Sequence, residues 1–139
     1  MDSIQADLVI FEELTPEWRE LTNLFVKNYP SNITIFRIDP MGKGIFSKKS
    51  FQEVDTISIY NNPVILAHLK NSENQDFIVG ICNSTPPFTL HDYNKLNLFL
   101  DTLSHALNLS LSPKILATNL NIEPWSRELR EFRNQTNLM

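Results

Sequence analysis

The chain has 139 residues, 42% apolar and 10% aromatic, which fits one soluble globular domain with its own core and excludes a disordered chain. A net charge of -4, from 12 basic and 16 acidic residues, lacks the basic excess of a general nucleic-acid binder. Cys82 is the single cysteine, which excludes an intrachain disulfide and a two-cysteine metal site and suits a reducing compartment.

Residues 4–14, "IQADLVIFEEL", read equally as a buried strand or a helical turn, because a short apolar run does not reveal its period. Thr15-Pro16-Glu17 is a helix start: a threonine N-cap, proline at the first helical position and an early acid. The helix is expected to reach about Asn28, with Trp18, Leu21, Leu24 and Phe25 on one apolar face, and Pro30 ends it. "NITIFRID" alternates as a strand. Asp39 to Gly44 is a turn in which proline sets one φ and glycine supplies positive ones. "IFSKKSF", "DTISIY", "VILAHL" and "FIVGIC" then predict four more strands joined by short turns, one of them at Asn61-Asn62-Pro63.

A second helix is predicted from Thr89 to about Leu111. Thr89 is its N-cap, Asp92 completes a capping box, and Phe88 with Tyr93 forms a hydrophobic staple. Leu96, Phe99, Leu100, Leu103, Ala106, Leu107 and Ser110 lie along one stripe, and Pro113 ends the helix. "KILATNL" reads as an edge strand or a loop, and Pro124 opens a short helix carrying Trp125, Leu129 and Phe132. The order predicts an α+β domain: an antiparallel sheet of about five strands with helices packed on one face. Residues 1–112 form this domain and residues 113–139 a C-terminal extension with a short amphipathic helix.

Catalytic signals are thin. His68, His91 and His105 show no metal-ligand spacing, and Cys82 shows neither a nearby base nor a cause for a lowered pKa, so it reads as a structural thiol. The carboxylate pairs Glu12-Glu13, Glu17-Glu20 and Glu53-Asp55 read as solvated faces and helix-dipole partners. Lys43, Lys48 and Lys49 are the only dense basic group and read as a solvated turn and strand edge. No phosphate loop, dinucleotide fingerprint or nucleophile elbow is present. "MDSIQADLVIF" lacks the features of a signal peptide and no apolar stretch approaches 18 residues, so a cytoplasmic protein is expected.

Residues 42–57, "GKGIFSKKSFQEVDTI", resemble the opening of SET methyltransferase domains, but the Asn-His pair of that family is missing. Two longer stretches, "ITIFRIDPMGKGIFSKKSF" and "DFIVGICNSTPPFTLHDYNKLNLFLDTLSHALNLSL", resemble GAF domains, in particular those of cyanobacterial phytochrome-type sensors, with related PAS- and profilin-like sheets. Only residues 52–76 separate them, too few for that family's ligand lobe. The resemblance implies a shortened GAF-like domain, not an enzyme and without cofactor or metal. It would act as a regulatory or adaptor domain in signalling, through an unidentified protein partner or as a homodimer. Trp18, Leu21, Leu98, Leu109, Trp125, Leu129 and Phe132 are then the candidate interface. The alternatives are a small-ligand sensor with a reduced pocket near His68, Tyr60 and Cys82, and a SET-like methyltransferase.

Overall fold

The structure is a computed structural model that describes residues 5–138. Two sheets form, not one. The first joins β1 (Leu8–Glu12), β2 (Ser31–Ile35) and β3 (Lys43–Ser47) in the order β1-β3-β2, all antiparallel. The second joins β4 (Glu53–Ile59), β5 (Asn62–Lys70), β6 (Asp76–Asn83) and β7 (Lys114–Asn119) in that order. β4, β5 and β6 form the expected meander, whereas β7 runs parallel to β6. A parallel neighbour needs a long crossover, and α2 (Leu90–Leu107) supplies it.

The sheets pack face to face. Alternation puts Ile45 of β3 in one layer with Ile65, Ala67 and Leu69 of β5 and Val79 and Ile81 of β6; Leu8, Ile10, Ile33 and Ile35 pack against them. The opposite face of the four-stranded sheet presents Val64, Leu66, Ile78 and Cys82 to Leu96, Phe99, Leu100, Leu103 and Leu107 of α2 and to Phe132 of α3 (Arg127–Thr136). The outer face of the three-stranded sheet is covered by α1 (Arg19–Val26), where Phe25 meets Phe11 at 5.4 Å and Phe46 at 5.7 Å between ring centroids. Tyr29, just past α1, donates its hydroxyl to the carbonyl of Ala6 at 3.0 Å. The layers therefore run helix, sheet, sheet, helices. The α+β class stands, but the single five-stranded sheet roofed on one face is corrected: each long helix covers a different sheet.

Local signals explain much of this and mislead in places. The capping box forms: Thr89 Oγ1 accepts from the Asp92 amide at 3.1 Å and the Thr89 amide donates to Asp92 Oδ2 at 3.1 Å. The staple does not, since Phe88 is exposed. Thr15 caps no backbone amide; Pro16–Trp18 is a 3-10 turn ahead of α1. The face of α1 that packs carries Thr22 and Phe25, while Trp18, Leu21 and Leu24 are exposed. The β4–β5 turn is Tyr60-Asn61, both at positive φ (50° and 61°), as a two-residue hairpin demands. No described glycine has positive φ. Gly42 serves close approach instead, because a Cβ there would lie 1.9 Å from the Leu14 carbonyl oxygen. The Leu14 amide donates to the Gly42 carbonyl at 3.0 Å, which pins the end of β1 to the start of β3. Residues 114–136 contribute β7 and α3, with Phe132 only 3% exposed.

Candidate functional site

The layer between the sheets is apolar along most of its length and turns polar at one end. On β1 the inward row is Leu8, Ile10, Glu12; on β3 it is Ser47, Ile45, Lys43; Glu12 stands directly opposite Lys43 in the ladder. Across the gap the rows continue from Ile65 to Pro63 on β5 and from Ile81 to Asn83 on β6. Directly opposed residues share a face, with Cβ atoms about 5 Å apart. One step past the isoleucines, a carboxylate, an ammonium and a carboxamide therefore reach the same end of the layer.

Lys43 is fully buried, which corrects its reading as a solvated turn residue; Lys48 and Lys49 are exposed. Its Nζ donates to Asn83 Oδ1 at 2.7 Å, to Asn62 Oδ1 at 3.3 Å and to the Pro63 carbonyl. Asn83 is held in turn: its Nδ2 donates to the Pro40 carbonyl at 2.7 Å, and its own carbonyl accepts from Asn62 Nδ2. Burial lowers the Lys43 pKa to about 8, against the opposing pull of nearby acidic groups, Glu12 among them. Burial also raises the Glu12 carboxyl above its ordinary range, although Lys43 pulls it down. Glu12 Oε1 is buried and has no hydrogen-bond partner. Glu13, beside it, has φ 58°, an uncommon backbone state for a glutamate and one found at functional sites.

Beside this cluster opens a cleft of about 290 Å³. Asn62 and Ser84 belong to its lining, Arg37 and Lys95 bring positive charge, and Asp39, Tyr60, Thr85 and Asp92 complete the polar wall. Arg37 is fixed by the Asn61 carbonyl at 2.8 Å and by an ion pair with Asp39. That hydrogen bond is the main cause holding the Asp39 carboxyl below its usual range. The parallel β6–β7 ends close the far side: the Ser84 amide donates to the Asn119 carbonyl at 2.9 Å, and Asn121 Nδ2 to the Ser84 carbonyl.

The residues singled out from sequence lie elsewhere. Trp18, Leu21, Leu98, Leu109 and Trp125 are exposed at scattered places; Leu129 is half-buried and Phe132 is core. His68 pairs with Asp55 at 3.2 Å on β4–β5, and Cys82 is buried on the α2 side with its pKa raised to about 11 by desolvation. Only Tyr60 of the proposed sensor residues lines the cleft. The missed signal was the period of two: Lys43 shares a face with Ile45, Glu12 with Ile10, and Asn83 with Ile81.

No protein-family model and no curated protein matches the chain. Solved structures do. A β-hairpin deletion mutant of beta toxin from Staphylococcus aureus superposes with a TM-score of 0.72 at 15% identity, over 94% of this chain and 59% of that one. The human Nocturnin catalytic domain with a bound sulfate anion gives 0.71 at 13%, over 95% and 57%. An endonuclease/exonuclease/phosphatase family protein from Bacteroides thetaiotaomicron gives 0.68 at 12%, over 94% and 55%. The chain thus spans under two thirds of each of these structures. The fold is theirs and not that of GAF domains, because two facing sheets replace the single roofed sheet. The expectation of a non-catalytic signalling adaptor, and of no enzyme, falls with it, as do the sensor and SET alternatives.

Phosphate-ester cleavage on many folds uses clamped divalent metals. The donor set here does not fit one: among the described residues, no three of His, Cys, Asp and Glu are grouped to hold an ion. The described residues also include no helix long and apolar enough to cross a membrane.

Proposed function

We propose that this chain is an enzyme domain that hydrolyses small phosphate esters in the cleft beside Lys43. The supporting observation is the position of a cation-edged cleft: it lies at the polar end of two facing sheets whose fold is shared with endonuclease/exonuclease/phosphatase proteins. A phosphate seated between Arg37 and Lys95 would have its charge balanced from two sides, the main demand of phosphoryl transfer. Arg37 is already oriented by Asn61 and Asp39, so little ordering remains at binding. Asp39, ionised at neutral pH, orients a water and takes its proton as the water oxygen attacks phosphorus. The P–O bond to the alcohol breaks, and that proton passes to the departing oxygen. The net charge of -4 favours a small ester over a long nucleic acid, whose binding rests on many basic contacts.

The test is release of p-nitrophenol from mono- and bis-p-nitrophenyl phosphate by the purified chain. Arg37→Ala and Lys95→Ala should each lower kcat/KM roughly a hundredfold, the scale of losing one preorganised donor. Release no faster than in buffer, with no competition by inorganic phosphate, would overturn the proposal.

A further inference from the structure

The turn between β4 and β5 holds a residue that its backbone does not favour. Tyr60 and Asn61 both have positive φ, 50° and 61°. Asparagine, aspartate and glycine take that backbone state readily, whereas a bulky side chain is an outlier there. Burial does not offset the strain, because Tyr60 is 60% exposed. What the residue gains is position: its side chain belongs to the wall of the cleft that also carries Arg37 and Lys95. The next carbonyl, that of Asn61, accepts from Arg37 Nη1 at 2.8 Å, so one tight turn places both the ring and the cation. The buried part of the cleft lining is mostly apolar, with Met41, Ile59, Leu96 and Phe99.

We infer that Tyr60 is a specificity-determining residue, and that the cleft takes phosphate monoesters whose alcohol carries a flat ring. The phosphate end is matched by Arg37 and Lys95, and the ring end by Tyr60 and the apolar lining. A ring placed there leaves water and gains from stacking as well as from burial. Tyrosine suits the task, since it offers a large rigid face with few torsions to fix. The cleft volume of about 290 Å³ lies at the lower end of small-molecule sites, which start near about 300 Å³. It has room for a phosphate and one ring, not for a long acyl chain. The inference rests on the phosphate-ester reading for the phosphate end and adds the identity of the alcohol end.

The experiment compares benzyl phosphate with ethyl phosphate, whose departing alcohols differ little in acidity, by release of inorganic phosphate from the purified chain. The intact chain should prefer the benzyl ester. Tyr60→Asn should lower that preference, the ratio of the two kcat/KM values, roughly tenfold, the scale of one lost aromatic stack. Tyr60→Phe, which keeps the ring, should keep the preference. Thermal unfolding separates this role from a structural one: Tyr60→Asn puts a favoured residue in the turn and should unfold at the same temperature or higher. No preference in the intact chain, or a preference that Tyr60→Asn leaves intact, would overturn the inference. Should neither ester be hydrolysed, the phosphate-ester reaction falls, and calorimetric titration with benzylphosphonate and ethylphosphonate decides the ring site on its own. Tighter binding of the benzyl compound that is lost in Tyr60→Asn supports it, and equal binding or none overturns it.

Discussion

The middle and the end of the layer between the sheets are built by the same alternation and stabilised by opposite means. At the middle, Ile45, Ile65 and Ile81 are fully buried and gain from removal of apolar surface from water. At the end, Lys43 is buried just as deeply, but its burial is unfavourable until three acceptors are supplied. The middle tolerates changes that keep volume. The end tolerates only changes that keep every polar group partnered. An apolar core would have closed this end more cheaply.

The largest expected effect is at the middle. Ile81→Ala should cost about 2–5 kcal/mol by denaturant unfolding, through lost burial and a residual cavity. Lys43→Met should cost about 3 kcal/mol, since it leaves three acceptors without their donor. Adding Glu12→Gln should return about 1 kcal/mol, a coupling between ladder neighbours read by a double-mutant cycle. A Lys43→Met chain as stable as the intact one would erase the contrast between the two regions.

pH separates them further. Lys43 titrates near 8 in the folded chain and at 10.5 when unfolded. Below pH 8 both states carry the proton and the cost of the buried charge is present in full. Between pH 8 and 10.5 the unfolded state binds more protons, so stability rises with pH, by about 1 kcal/mol from pH 8 to 9. Cys82 works the other way: its thiol titrates at 9.0 unfolded and about 11 folded, so its contribution is lost as pH rises from 9 to 11. Urea midpoints at closely spaced pH values should rise and then flatten. Cys82→Ala should extend the rise, and Lys43→Met should abolish it. The smallest effect is expected far from both regions, where Thr89→Ala should cost about 1 kcal/mol through loss of the α2 cap.

The α2 start was legible because its information is local: Thr89 and Asp92 are three residues apart and satisfy each other's amides. The meander of β4 to β6 was legible for the same reason, as alternation and turns lie within a few residues. β1 stayed ambiguous because "DLVIF" is apolar on both faces, and its structure gives the reason: Ile10 meets the other sheet while Phe11 meets α1. The exposed residues Trp18 and Trp125 drew attention as apolar surface, whereas the cluster was hidden by polarity, since lysine and asparagine in a strand read as solvent-facing.

The sequence by itself determined where β2 to β6 and the α2 helix lie, because hydrogen-bonding caps and two-residue alternation act over short stretches of chain. Only the tertiary structure decided that the strands divide into two facing sheets and that Glu12, Lys43, Asn62 and Asn83 meet. Those four come from four strands, and Lys43 and Asn83 are 40 residues apart. Their meeting depends on register and on which faces pack, and both are settled by burying the isoleucine rows beside them.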